Sequence, residues 1–152
     1  MHEEKSDLGE LLSETRILLP GTEIFLAFLT TLPFTNRFDQ LSKTEHGVYV
    51  CTFFATLVSF VLMVAPAAYH RVARPIHDKE RFKNFANVLL VVGLVPISVS
   101  VVLTTFLVTS MVLGDRHAIW GAVAMGVVVA VLWWAVPLGR AHDRFPKTKG
   151  RA

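Results

Sequence analysis

Thirty consecutive residues, Phe85 to Gly114, carry no charged side chain. A helix apolar on every side over that length has no face to offer to water. Two more runs share the property, Val48 to Tyr69 and Ala118 to Gly139. The hydrocarbon core of a bilayer, about 30 Å thick, is crossed by about 20 residues of helix. Each run is long enough, so the pattern predicts membrane spans over about 48–69, 85–113 and 118–139. Composition alone would not decide the matter. The chain is 53% hydrophobic, and soluble domains come close to that. What decides is the distribution, because the charges crowd into the gaps.

A fourth run, Ile17 to Phe34, is interrupted by Glu23. A signal peptide would need a basic leading segment and a small-residue cleavage site. The leading segment here, MHEEKSDLGELLSETR, has five acids against two bases, and no Ala-x-Ala pattern follows. Residues 17–34 are therefore predicted as a span. The expected fold is all-α: a polytopic membrane protein with an up-down bundle of four transmembrane helices over 17–139. Residues 1–16 are expected to form a cytoplasmic segment in which Leu8, Leu11 and Leu12 share one side of an interfacial helix. Residues 140–152 are expected to form a basic, disordered tail.

Lys and Arg give the orientation. Alternate sides of four spans hold twelve and three of them. The positive-inside rule puts the richer side, with both termini, in the cytoplasm of a bacterial plasma membrane. Topology accounts for the net charge of +3, so nucleic acid is not an expected partner. The inner loop around Arg71, Arg74, Lys79, Arg81 and Lys83, and the tail, are expected to attract anionic lipid. The outer loop has Phe34, Phe38 and Leu41 at helical spacing and is expected to lie on the membrane surface. Asp115 to His117 reads as a tight turn.

Within the spans, Ala118, Ala122, Gly126 and Ala130 make a row of small residues, a helix-packing face against this chain or another copy. Pro20 with Gly21, and Pro96, are expected to break or kink their helices. Cys51 is the only cysteine, which excludes an intrachain disulfide.

Glu23 is the most informative residue. It lies six residues past Ile17, about 9 Å along a helix axis. A charge at such depth costs a few kcal/mol. Protonation, a basic partner or the first turn of a new helix after Pro20 and Gly21 would each lower that cost. Glu14, Arg16, His70, Arg71 and Asn87 fall near the same level, so a polar cluster with Glu23 is expected toward the cytoplasmic side. Such a cluster is either a proton or cation site or a structural network. A third arrangement pairs His46 with His117 and His70 with His142 at the span ends, as two haems would require. No phosphate loop, His-x-x-Glu-His or paired-cysteine motif is present, so no enzyme activity and no cofactor or metal is expected.

The run ETRILLPGTEIFLAFLTTLPFTNRF, with APAAYHR further on, resembles DUF6328, a family of small actinobacterial membrane proteins often labelled sodium:proton antiporters. The resemblance covers about Glu14 to Arg140. It implies a membrane protein with a transport label. An amide is common in the family where Glu23 stands, which moves the weight of any site toward Glu14, Arg16, His70 and Arg71. The residues thus leave two main readings. One is a small proton- or cation-coupled transporter acting as a parallel homo-oligomer. The other is a non-transporting accessory protein that binds lipid or a membrane partner.

Overall fold

The computed structural model describes residues 19–72 and 79–143. Among these the chain is helical throughout, with short turns and no strand. Helix α1 is described over Leu19–Phe34, its last turn tightened to a 3-10 helix at Leu32–Phe34. After a second 3-10 turn at Phe38–Gln40 come α2 (Lys43–Val72) and α3 (Lys79–Leu113). Helix α4 (Asp115–Val129) passes without a break through a π-helical segment, Ala130–Ala135, into α5 (Val136–Asp143). Three stretches are long and apolar enough to cross a bilayer: Lys43–Val72, Glu80–Leu113 and Asp115–Arg140.

The helices outrun the charge-free runs for local reasons. Helix α2 starts at Lys43, five residues before the apolar run, because Ser42 and Glu45 form a reciprocal cap. The Ser42 N–H donates to Glu45 Oε2 at 2.8 Å, and the Glu45 N–H donates to Ser42 Oγ at 3.3 Å. Two donors that a helix start leaves unpaired are thereby satisfied. The turn expected at Asp115 to His117 falls on Gly114 alone, and those three residues form the first turn of α4. Gly114 has φ 86° and ψ 167°, a region open essentially to glycine. The prolines do not end their helices. Helix α3 continues through Pro96, α2 through Pro66, and Pro20 and Gly21 lie inside the first described turn of α1.

The segment joining α1 to α2 is not one continuous helix: 3-10 turns stand at Leu32–Phe34 and Phe38–Gln40. Phe38 turns inward, edge-on to His46 at 4.8 Å and to Tyr49 at 5.0 Å between ring centroids. Phe34 remains 83% exposed. The Arg37 guanidinium donates to the Met111 carbonyl at 2.9 Å, one of the last-turn acceptors that α3 leaves unpaired.

Successive helices run antiparallel, as their contacts show. Tyr49 Oη donates to Leu29 O and Thr22 Oγ1 to Met63 Sδ, pairing α1 with α2. Ser59 meets Gly93 and Ser100 meets Thr52, pairing α2 with α3. Gly121 faces Thr109 and Gly126 faces Val102, pairing α3 with α4. Helix α3 is shared: α2 and α4 both pack on it, and among the described residues they do not touch each other. The apolar core is Met63, Leu90 and Ile97, flanked by Phe25 of α1 and Leu94.

The pattern is inverted relative to a soluble domain. The buried positions of α2 are Thr52, Thr56, Ser59, Met63 and Pro66, while Val50, Phe54, Val58 and Val61 face outward. Lipid tails are as apolar as leucine, so helices gain little by hiding large hydrophobic side chains. They gain by close approach and by hydrogen bonds between backbones and small polar groups.

Candidate functional site

The residues nominated from sequence are scattered. Glu14 and Arg16 lie outside the described residues. Glu23 is exposed on α1 and makes no hydrogen bond or ion pair among the described residues. It sits one position beyond Thr22, which is buried, so the carboxylate lies off the packed stripe of Thr22, Phe25 and Leu29. Arg71 and Asn87 are exposed. His70 is half-buried, and its ring packs on Phe82 at 5.7 Å. Tyr69 stacks on the same Phe82 at 5.8 Å and meets Phe85 at 5.3 Å. Among the described residues, this end of α2 and α3 carries an aromatic cluster. No hydrogen bond or ion pair joins any two of Glu23, His70, Arg71 and Asn87.

The outer histidines are each tied to their own helix. His46 Nδ1 lies 3.0 Å from Ser42 O, and His117 Nδ1 lies 3.1 Å from Leu113 O. His142 lies in α5 at its C-terminal end.

In the row of small residues, Ala118 is fully buried and Ala122 and Gly126 are half-buried. A Cβ on Gly126 would stand 3.8 Å from Val102 of α3. Ala130 is exposed. It opens the π-helical segment, where the Val136 N–H reaches back five residues to Val131 O. That wider turn shifts the face that follows.

A seam of hydroxyls joins α2 and α3, and its α2 side was not anticipated from sequence. Thr52, Thr56 and Ser59 are fully buried, and so is Ser100 across from them. Two of their bonds cross between helices: Ser59 Oγ donates to Gly93 O at 2.7 Å, and Ser100 Oγ donates to Thr52 O at 3.2 Å. Thr52 and Thr56 bond back to Val48 O and Thr52 O of their own helix. The signal was present in the spacing. Positions 52, 56, 59, 63 and 66 alternate by four and three, the register of one helix face in a packed pair.

The end of the seam at the start of α2 is acidic. Glu45 stands in the first turn of α2, ahead of the apolar run that begins at Val48. The Ser110 hydroxyl at the end of α3, then the Ser42 N–H, hold its carboxyl below the usual carboxylate range. Ser110 has one hydroxyl proton and also donates to Leu107 O at 2.9 Å, so that proton is shared.

On the far side of α3 lies an apolar groove of about 290 Å³. Ser98, Val102, Gly126, Val129, Ala130 and Trp134 are among its lining residues. Ser98 Oγ donates to Leu94 O at 2.6 Å and accepts from Trp134 Nε1 at 3.3 Å. The polar atoms at the groove are thus engaged, and its remaining walls are hydrocarbon.

An all-helical chain with three apolar helices of bilayer-crossing length, and hydroxyls rather than valines at its helix contacts, has the build of an integral membrane protein. The chain belongs to DUF6328, a family of unknown function, whose pattern it matches over residues 2–137. No curated protein and no solved structure matches it.

Proposed function

We propose that this protein is an assembly-forming accessory protein of the bacterial plasma membrane. In this reading each chain crosses four times with both termini in the cytoplasm, and copies associate in parallel through the face of α1 that bears Glu23. One observation carries the reading: Glu23 is exposed and meets no partner among the described residues. An ionised carboxylate left to lipid costs about 2.5–3.5 kcal/mol on insertion scales. A second copy can remove that cost by supplying a hydrogen-bond partner. The charge asymmetry of twelve against three would hold every copy in one orientation, which makes the contact parallel. The hydroxyl seam fits the same reading, since its inter-helix bonds end on backbone carbonyls and act as packing contacts.

A second reading places proton- or cation-coupled transport at that same contact. Glu23 itself favours it, because intramembrane ionisable groups commonly mark ion pathways. The two readings part in one experiment on purified protein in proteoliposomes. Single-molecule photobleaching of labelled chains reads the copy number, and an enclosed pH dye reads proton flux. The assembly reading expects association that Glu23→Leu weakens and Glu23→Gln preserves, with no flux. Association unchanged in Glu23→Leu would overturn it. Flux in the wild type that Glu23→Gln abolishes would establish transport in its place.

A further inference from the structure

We propose that the groove between α3 and α4 holds an acyl chain of an anionic phospholipid whose headgroup meets Arg140. The proposal rests on the membrane reading above but not on the contact between copies. Three observations carry it, beginning with the shape and chemistry of the groove. Its volume of about 290 Å³ is room for about ten water-sized groups at ~30 Å³ each, the bulk of one hydrocarbon chain. Gly126 leaves the wall open, and the hydroxyl and indole at the groove are engaged with each other. A hydrocarbon chain therefore strips no polar group of water when it enters.

Depth is the second observation. Trp134 precedes Arg140 by six residues and Gly126 precedes it by fourteen, about 9 and 21 Å at 1.5 Å per residue. Half a hydrocarbon core is about 15 Å. The groove thus lies alongside the acyl chains of the leaflet whose headgroups are level with Arg140. The π-helical segment falls within that stretch, and such segments recur at functional sites. Here it carries Trp134, which reaches Ser98.

Charge is the third. Arg140 is exposed. A cationic end beside an apolar groove complements a lipid with an anionic head and an apolar tail.

The test uses lipids brominated on the acyl chain, which quench tryptophan on contact. The chain has three tryptophans, Trp120, Trp133 and Trp134. Replacing two by phenylalanine leaves either Trp134, in the groove, or Trp133, which is exposed outside it. Full-length protein is placed in phosphatidylcholine vesicles. At equal mole fraction, brominated phosphatidylglycerol or brominated phosphatidylcholine replaces part of that lipid. The expected result is roughly twofold more quenching of Trp134 by the anionic lipid, and no preference at Trp133. Arg140→Gln should remove the preference, and Gly126→Leu should lower the quenching of Trp134 by both lipids. Equal quenching of Trp134 by the two lipids overturns the headgroup assignment and leaves the membrane reading intact. Quenching of Trp133 but not Trp134 means that protein fills the groove, and overturns the proposal entirely. If neither tryptophan is quenched, the membrane reading fails with it.

Discussion

Gly93 of α3 packs closely against α2. A Cβ at that position would stand 3.3 Å from Met63 Cγ, 3.5 Å from Leu62 Cβ and 3.7 Å from Ser59 O. The nearest neighbour and the backbone neighbour respond differently. Met63 is unbranched and can rotate aside, whereas the Ser59 carbonyl is fixed in its helix. Gly93→Ala therefore asks a few tenths of an ångström of Met63 and gains about 1 kcal/mol of helix propensity. The net change should lie within about 1 kcal/mol of zero. Gly93→Leu must place three more carbons against Met63, which is 1% exposed, and Ser59, which is fully buried. Overpacking of this kind costs about 1–3 kcal/mol. Parting the helices also breaks the 2.7 Å bond from Ser59 Oγ to Gly93 O, worth about 0.6 and at most about 1.7 kcal/mol in membrane proteins. The combined loss is about 2–4 kcal/mol.

The measurement is unfolding of purified protein in mixed micelles, driven by sodium dodecyl sulfate and followed by tryptophan fluorescence. Leucine should move the midpoint well below that of wild type, with alanine close to wild type. Met63→Ala added to Gly93→Leu should recover part of the loss, because the leucine inherits the methionine's space. A Gly93→Leu variant as stable as wild type would show that the helices do not meet there. An alanine variant as damaged as the leucine variant would show that backbone, not Met63, limits the approach.

Two further outcomes follow from the same hydrogen-bond accounting. Glu45→Gln keeps an acceptor for the Ser42 N–H but removes the charge from the first turn of α2, and the expected loss is about 0.3–1 kcal/mol at neutral pH. Because the folded carboxyl is held below its ordinary value, its contribution is fully present above the unfolded pKa and disappears as pH falls through the depressed one; in an acid titration of stability, the difference between wild type and Glu45→Gln should shrink at the low end, and a constant difference would count against it. Thr104 is the reverse case: its Oγ1 is buried with no hydrogen-bond partner, so Thr104→Val should be neutral or stabilising by up to about 1 kcal/mol in the micelle assay, whereas Ser59→Ala should destabilise.

How far the sequence could be read depended on the length scale of the signal. A charge-free run such as Phe85 to Gly114 reports burial in lipid directly, because one charge at bilayer depth costs so much. The long helices were therefore legible, and their ends were not. Lys43 belongs to α2 because Ser42 and Glu45 cap it, a four-residue pattern that hydropathy averaging erases. Pro96 removes one backbone donor, and α3 remains helical through it; within a bundle, neighbouring groups can satisfy what proline leaves open. The site was harder still. His70 and Arg71 were grouped with Glu23 by depth alone, and depth does not specify which side of a helix a residue takes. His70 turned onto Phe82, while Glu23 fell one position off the packed stripe of α1. Angle, not level, decides contact, and each step of one residue turns it by about 100°.

That geometry separates two kinds of polar residue in the apolar region. Thr52, Ser59 and Ser100 lie on the packed faces, and each hydroxyl donates to a backbone carbonyl within reach. Their polarity is consumed inside the chain, and their removal should register as lost stability. Glu23 is exposed and unpartnered among the described residues, and in the assembly reading its polarity is met by a second copy. Replacing it should leave the fold of a single chain nearly untouched while altering what that chain associates with or carries. A variant such as Glu23→Gln that kept the unfolding midpoint and changed assembly or flux would have the signature of an outward-directed group. One that lowered the midpoint as Ser59→Ala does would place Glu23 among the packing residues, against its position on α1.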